Sequence, residues 1–356
     1  MTRAGPEAPG TAGEGTGGGP RAAFEQGLGF HLDAFQHRAM DAIDRGESVL
    51  VSAPTGSGKT LIADYAVARA LSGGGKAFYT TPIKALSNQK FGELSDRYGA
   101  HRVGLLTGDV SHQARAPIVV MTTEVLRNML FARSALLDDL AVVVLDEVHY
   151  LQDPYRGSVW EEVLVLTPPT VSFVSLSATV NNAGDFGRWL TSVRGTTRVV
   201  VETHRPVTLH HHYAVAERGR DGLSVLPLLR SGQPNPDGLR LDDRRKRSSH
   251  QRFRSPRRTE VVEYLAEAGM LPAITFIFSR AACDDATRQV VADGVRLTTD
   301  DERARIRVLV EDSVERLSDA DLRTLGYGPW SDALEAGVAP HHAGLVPAFR
   351  QAAERC

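Results

Sequence analysis

Two short stretches hold residues whose types and spacing suit phosphate chemistry. The first, Ala53 to Thr60, reads APTGSGKT. Gly56 and Gly58 let the backbone curl so that its N–H groups converge on phosphate oxygens, with Pro54, Thr55 and Ser57 completing the cradle. Lys59 would reach the β- and γ-phosphates, and Thr60 would offer its hydroxyl to Mg²⁺. Ala53 stands where the usual pattern has glycine, a departure that removes no phosphate-contacting group. The second stretch is DEVH, Asp146 to His149. A carboxylate at the tip of a buried strand suits Mg²⁺, so Asp146 is assigned to the metal. Glu147 would hold a water in line with the γ-phosphate. Alone, the first stretch could be a glycine turn capping a helix and the second a helix start. Together in one sheet they describe an ATP site.

The elements around them fit that placement. Glu47–Ser52 reads as a buried strand and Thr60–Leu71 as a helix, which the glycine loop joins. Further apolar runs with β-branched bias lie at Lys76–Thr80, Arg102–Leu106, Pro117–Met121, Leu140–Leu145 and Thr170–Leu176, with helical stretches at Ile83–Tyr98 and Glu124–Phe131 between them. Strands alternating with helices predict an α/β fold, a mostly parallel sheet covered by helices, whose ligands sit at the carboxyl ends of the strands. Small and hydroxyl residues recur there: Thr81 and Pro82, Gly108 and Asp109, Thr122 and Thr123, then Ser177 and Thr179. Each alone is an ordinary helix cap; on one sheet edge they suit contact with a sugar-phosphate backbone. Ahead of the glycine loop, Phe30–Ile43 has a helical pattern, from which Gln36 could read an adenine edge while Phe30 packs on its face.

Composition sets the class. Of 356 residues, 24% are charged and 42% hydrophobic, with a net charge of −2. No apolar run is long enough to span a bilayer and the N-terminus lacks a basic-then-apolar signal segment, so the expectation is a cytoplasmic protein without a membrane partner. The net charge excludes an overall positive coat but not a local groove. Cys283 and Cys356 cannot form a disulfide framework and lack metal-site neighbours. His210, His211 and His212 alternate across a strand and so cannot converge on one ion.

The ordered set APTGSGKT, TTPIKALSNQKF, TGD, TTE, DEVH and SAT resembles superfamily 2 DExH-box RNA helicases, in particular those of the Ski complex and the nuclear exosome cofactors with their bacterial relatives. The likeness continues through ITFIFSRAACD and APHHAGLVPAFR. It implies two RecA-like domains, with ATP and Mg²⁺ between them and single-stranded or partly duplex RNA across their top, unwound 3′ to 5′ during RNA processing or decay, with decay nucleases as partners. By the same resemblance Phe30 and Gln36 contact adenine, and His149, Ser177 and Thr179 couple hydrolysis to strand movement. Ser279 and Arg280, with His342 and Gly344, would face the nucleic acid from the second domain. The expected layout is a disordered tail over 1–24, a first domain over 25–203, a crossover over 204–229, a flexible arginine-rich loop over 230–258 and an incomplete second domain over 259–356, in which Pro272–Phe278 is a buried strand. The family's γ-phosphate arginines would follow Cys356, so this stretch alone is expected to bind ATP and hydrolyse it weakly. A DNA helicase or translocase of the same superfamily and an RNA clamp that does not unwind are the alternatives; the RNA target and oligomeric state are left open.

Overall fold

The computed structural model describes residues 19–179, 182–217, 222–240, 253–315 and 317–356. The chain divides between Thr208 and Leu209 into two compact units. The first begins with helices α1 (Pro20–Gln26) and α2 (Ala34–Asp44) and then alternates β1 (Ser48–Ser52), α3 (Thr60–Ser72), β2 (Lys76–Thr81) and α4 (Lys84–Tyr98). It continues through β3 (Val103–Leu106), β4 (Ser111–His112), β5 (Ile118–Thr122), α5 (Thr123–Phe131), β6 (Leu140–Leu145), α6 (Gly157–Leu166), β7 (Ser172–Ser177), α7 (Ala183–Arg194) and β8 (Thr197–Val201). Eight strands form one sheet in the order β4-β3-β5-β2-β6-β7-β1-β8. Every pairing is parallel except β3 with β4.

The two-residue period of a strand sorts the core into two layers. Val49, Val51, Ala77, Tyr79, Val142 and Val144 enter one face, where Phe35, Ile62 and Leu94 come down from α2, α3 and α4. Leu50, Phe78, Val143 and Leu145 enter the other, against Leu126 of α5, Trp160 of α6 and Leu190 of α7. Burying each large side chain contributes about 1.5–3 kcal/mol, so both faces need their helices. This is the RecA-like α/β architecture expected from the sequence, and each apolar run expected as a strand in this unit is one.

Sheet register decides where the loops emerge. Ser52 is level with Ser177, Thr80 with Leu145, and Thr81 with Thr122. The carboxyl ends of β1, β7, β6, β2 and β5 therefore share one rim.

Three expectations are corrected. Residues 20–24, read as tail, are helical in α1, because Arg21 bonds Glu25, Asp41 and Asp44 while Phe24 packs edge-on against Tyr65; residues 1–18 lie outside the described residues. The loop expected over 230–258 is partly built. Leu229–Arg230 pairs with Gln233–Pro234 around Ser231 and Gly232, both at positive φ, and Phe253–Arg254 adds a strand to His212–Glu217. Its residues 241–252 lie outside the described residues. Pro272–Phe278 forms no strand: Ile274, Phe276 and Phe278 are 82%, 84% and 106% exposed. A doubly buried strand needs a neighbour on each side for its amides, and none of the described residues of this unit runs beside it. The second unit is instead held by helices Asp300–Val314, Tyr327–Glu335 and Pro347–Arg355, packed around Trp330 stacked on Phe349 at 4.1 Å.

Candidate nucleotide and nucleic-acid site

The glycine loop leaves β1 at Ser52 and enters α3 at Thr60. Gly56 and Gly58 both have φ of +81°, a left-handed conformation that a side chain resists. A Cβ on Gly58 would also stand 2.7 Å from Gln36 Nε2. Helix α3 has no side chain capping its N-terminus and no acidic residue in its first turn, so its orphan N–H groups and the positive end of its dipole face the loop. Lys59 is buried, 8% exposed, and no carboxylate among the described residues pairs with it. Pro54 and Ser57 are buried, Thr60 is half-buried, and Thr55 with both glycines is open to solvent.

Asp146 and Glu147 follow β6 on the same rim. Strands about 4.8 Å apart put β6, two steps from β1 across β7, roughly 10 Å from it. Asp146 is fixed on both oxygens, Oδ1 accepting from the Glu147 backbone N–H at 2.9 Å and Oδ2 from the Tyr79 hydroxyl at 2.9 Å. Glu147 has φ 51° and ψ 45°, a left-handed backbone that costs a non-glycine residue about 1–2 kcal/mol. That turn lifts its carboxylate off the strand axis, where Oε2 comes within 3.2 Å of His149 Nδ1 without the alignment of a hydrogen bond.

Four of the nine buried side-chain atoms without a hydrogen-bond partner among the described residues lie here, two of them facing each other. Ser57 Oγ in the glycine loop, Glu147 Oε2, His149 Nδ1 and Ser177 Oγ at the end of β7 are all of this kind. A buried polar atom left unpaired costs about 1–3 kcal/mol. Four on one rim fit a polar ligand that donates and accepts there, as a magnesium nucleotide with its waters would. Thr179, beyond β7, is exposed.

The predicted adenine contacts are placed differently from each other. Gln36 is 4% exposed, with Oε1 accepting the Asp33 N–H at 2.8 Å and Nε2 donating to the Gly58 carbonyl at 3.1 Å, so it ties the start of α2 to the phosphate loop. Phe30 precedes the helix and is 57% exposed.

On the other half of the rim, the loops after β2, β3 and β5 are cross-braced. Lys84 pairs with Asp109, which also accepts from Thr107 Oγ1 at 3.0 Å; the Lys84 bond holds the Asp109 carboxyl below its usual pKa. Thr81 and Thr123 are buried with their hydroxyls turned inward, Thr81 to Ser87 Oγ at 2.7 Å and Thr123 to the Thr81 carbonyl at 3.3 Å. They shape the rim, as does the buried Pro82, and its outward face is left to backbone, to the exposed Gly108 and to the half-buried Thr122. Sequence reading missed Arg156. Its guanidinium donates to the Pro82 carbonyl at 2.7 Å, pairs with Glu124 and lies over the Trp160 ring, joining the β2 and β5 loops. An arginine just before the apolar helix Gly157–Leu166 was the available signal.

In the second unit, Ser279 caps Arg280–Ala292 by accepting from the Ala282 N–H at 3.3 Å. His342 Nε2 lies 2.9 Å from Asp284 Oδ1 on that helix, and its Nδ1 accepts the Gly344 N–H at 3.1 Å. A Cβ on Gly344 would come within 3.3 Å of Arg280 Cδ, so the four residues named from sequence form one cluster.

Residues 33–186 match the family model described as DEAD/DEAH box helicase. The chain is 50% identical over 347 residues to the probable helicase HelY of Mycobacterium tuberculosis, an alignment covering 93% of this chain and 38% of HelY. It is 36% identical over 365 residues to the DExH-box ATP-dependent RNA helicase DExH15 chloroplastic of Arabidopsis thaliana, covering 90% of this chain and 31% of that protein. With the exosome RNA helicase MTR4 of Homo sapiens it shares 35% over 340 residues, covering 91% and 32%. The chain therefore spans 31% to 38% of the length of these relatives.

Proposed function

Because the chain carries a DEAD/DEAH box helicase domain over residues 33–186 and has HelY and MTR4 among its relatives, we propose that it is the ATP-binding part of an RNA helicase that couples hydrolysis to 3′-to-5′ movement along a strand. The observation that carries the reading is the rim on which Ser57, Glu147, His149 and Ser177 hold unpaired buried polar atoms beside the uncapped start of α3.

The α3 N–H groups and Lys59 would cradle phosphate oxygens, and Thr60 with Asp146 would hold magnesium. Magnesium, when bound, neutralises charge on the phosphate oxygens. Glu147 would orient the attacking water and take its proton, and His149 beside it would carry the state of that carboxylate toward Ser177 and Thr179. Phe30 and Gln36 would flank the base. The loops at Thr81–Pro82, Gly108–Asp109 and Thr122–Thr123, with Ser279, Arg280, His342 and Gly344, would meet the strand through its phosphates. RNA is preferred over DNA because two of the compared relatives carry RNA helicase in their names. RNA-decay nucleases as partners and a cytoplasmic site belong to the same proposal. No helix among the described residues is long and apolar enough to cross a membrane.

Two substitutions test the site. Glu147→Gln should keep ATP binding and lower turnover by at least about a hundredfold, the scale of a lost general base, whereas Lys59→Ala should weaken binding as well. Measured turnover that persists in the Gln variant overturns the role given to Glu147. ATPase stimulation by RNA and by DNA of equal length separates the two nucleic acids, and release of a strand from a 3′-tailed duplex separates a helicase from a clamp.

A further inference from the structure

Tyr79 lies within β2, two residues before its carboxyl end, 0% exposed, in a mostly apolar layer. A buried phenol needs a partner for its O–H, and here the partner is Asp146 Oδ2 at 2.9 Å. The ring is held from behind by Lys90 of α4, whose Nζ lies 5.2 Å from the ring centroid and which is itself paired with Glu93.

We propose that Tyr79 is a positioning residue for the metal site: its hydroxyl fixes the rotamer of the Asp146 carboxylate that would hold magnesium. The proposal rests on the reading of Asp146 as the magnesium carboxylate. Asp146 Oδ1 is already tied to the backbone N–H of Glu147, a single bond about which the group can still swing. The second bond, from another strand, removes that freedom. Partners of this kind behind a metal ligand typically change metal affinity about 10–100-fold when removed.

The test is a magnesium titration of fluorescent mant-ADP binding to the full 356-residue chain. Tyr79→Phe keeps the ring and removes the donor; it should raise the magnesium concentration for half-maximal binding about tenfold. Binding in EDTA should be unchanged. Tyr98→Phe removes a part-buried hydroxyl that donates to the Asp64 carbonyl at 3.5 Å and makes no bond to Asp146; it should leave the magnesium curve in place. Asp146→Asn should abolish the magnesium response. A Tyr79→Phe curve lying on that of the parent chain, with Asp146→Asn unresponsive, overturns the proposal and leaves the reading of Asp146 standing. A normal magnesium response in Asp146→Asn overturns the reading itself. Should Tyr79→Phe fail to fold, 3-fluorotyrosine placed at position 79 alone gives a second readout. Its ¹⁹F resonance should move when magnesium is added to the ADP complex, and a stationary resonance overturns the proposal.

Discussion

Gly58 concentrates two constraints at one position, a φ of +81° and a close approach to Gln36 Nε2. Gly58→Ala should therefore destabilise the unit by about 1–2 kcal/mol through the backbone alone and lower nucleotide affinity further by turning the loop amides. A melting curve and a nucleotide titration separate the two effects; unchanged affinity would mean that the loop adapts. At this scale the sequence was legible where chemistry depends on residue type in a short window. The glycine loop and the acidic pair were readable because the lysine, the threonine and the carboxylates sit at fixed offsets from strand ends. Gln36 was found for its position, but its bond to the Gly58 carbonyl was not, although Asp33 three residues ahead is a readable cap signal. What Tyr79 and Arg156 bond to was not readable because their partners, Asp146 and Glu124, lie 67 and 32 residues away.

Between elements, Arg156 is the brace that holds the β2 and β5 loops together. Arg156→Ala should lower affinity for single-stranded RNA several-fold and leave nucleotide affinity unchanged, since the brace lies away from the glycine loop; equal losses of both would place its effect in overall folding. In the second unit, Arg254 grips Glu260 with two nitrogens and so ties its strand to helix Arg258–Glu267. Its hydrogen bonds, with that of the Arg257 N–H, lower the Glu260 pKa to about 2 from 4.5. A depressed carboxylate stabilises the fold above its unfolded pKa and loses that contribution as pH falls through the folded value. Amide protection in this helix should accordingly fall between pH 4.5 and 2, and Arg254→Gln should lower it at neutral pH and flatten the acid dependence. Strands β1, β2, β3, β5, β6 and β7 and helices α2 to α5 were legible since buried parallel strands read as apolar runs and the helices between them as periodic ones, whereas α1, α6 and α7 were not read as helices. Phe253 was missed because one apolar residue among arginines leaves no period, and Ser231–Gly232 because a two-residue turn has no pattern beyond its own pair.

For the molecule as a whole, an apolar run by itself does not make a strand. ITFIF reads like the strands of the first unit, yet Ile274, Phe276 and Phe278 are exposed, because pairing is a property of neighbours and not of the segment. Such a stretch is an aggregation hazard. Replacing the three residues by threonine should raise the concentration at which the 356-residue chain stays monodisperse in light scattering, with magnesium-nucleotide affinity unaltered. The level carboxyl ends of the first sheet have a practical corollary at its opposite end. The turn from α3 into β2, with Ser72 and Gly74 in solvent, is a full strand length from the phosphate loop. A dye or surface tether coupled there, after Cys283 and Cys356 are replaced, would report on motion during turnover without standing in the way of nucleotide or strand.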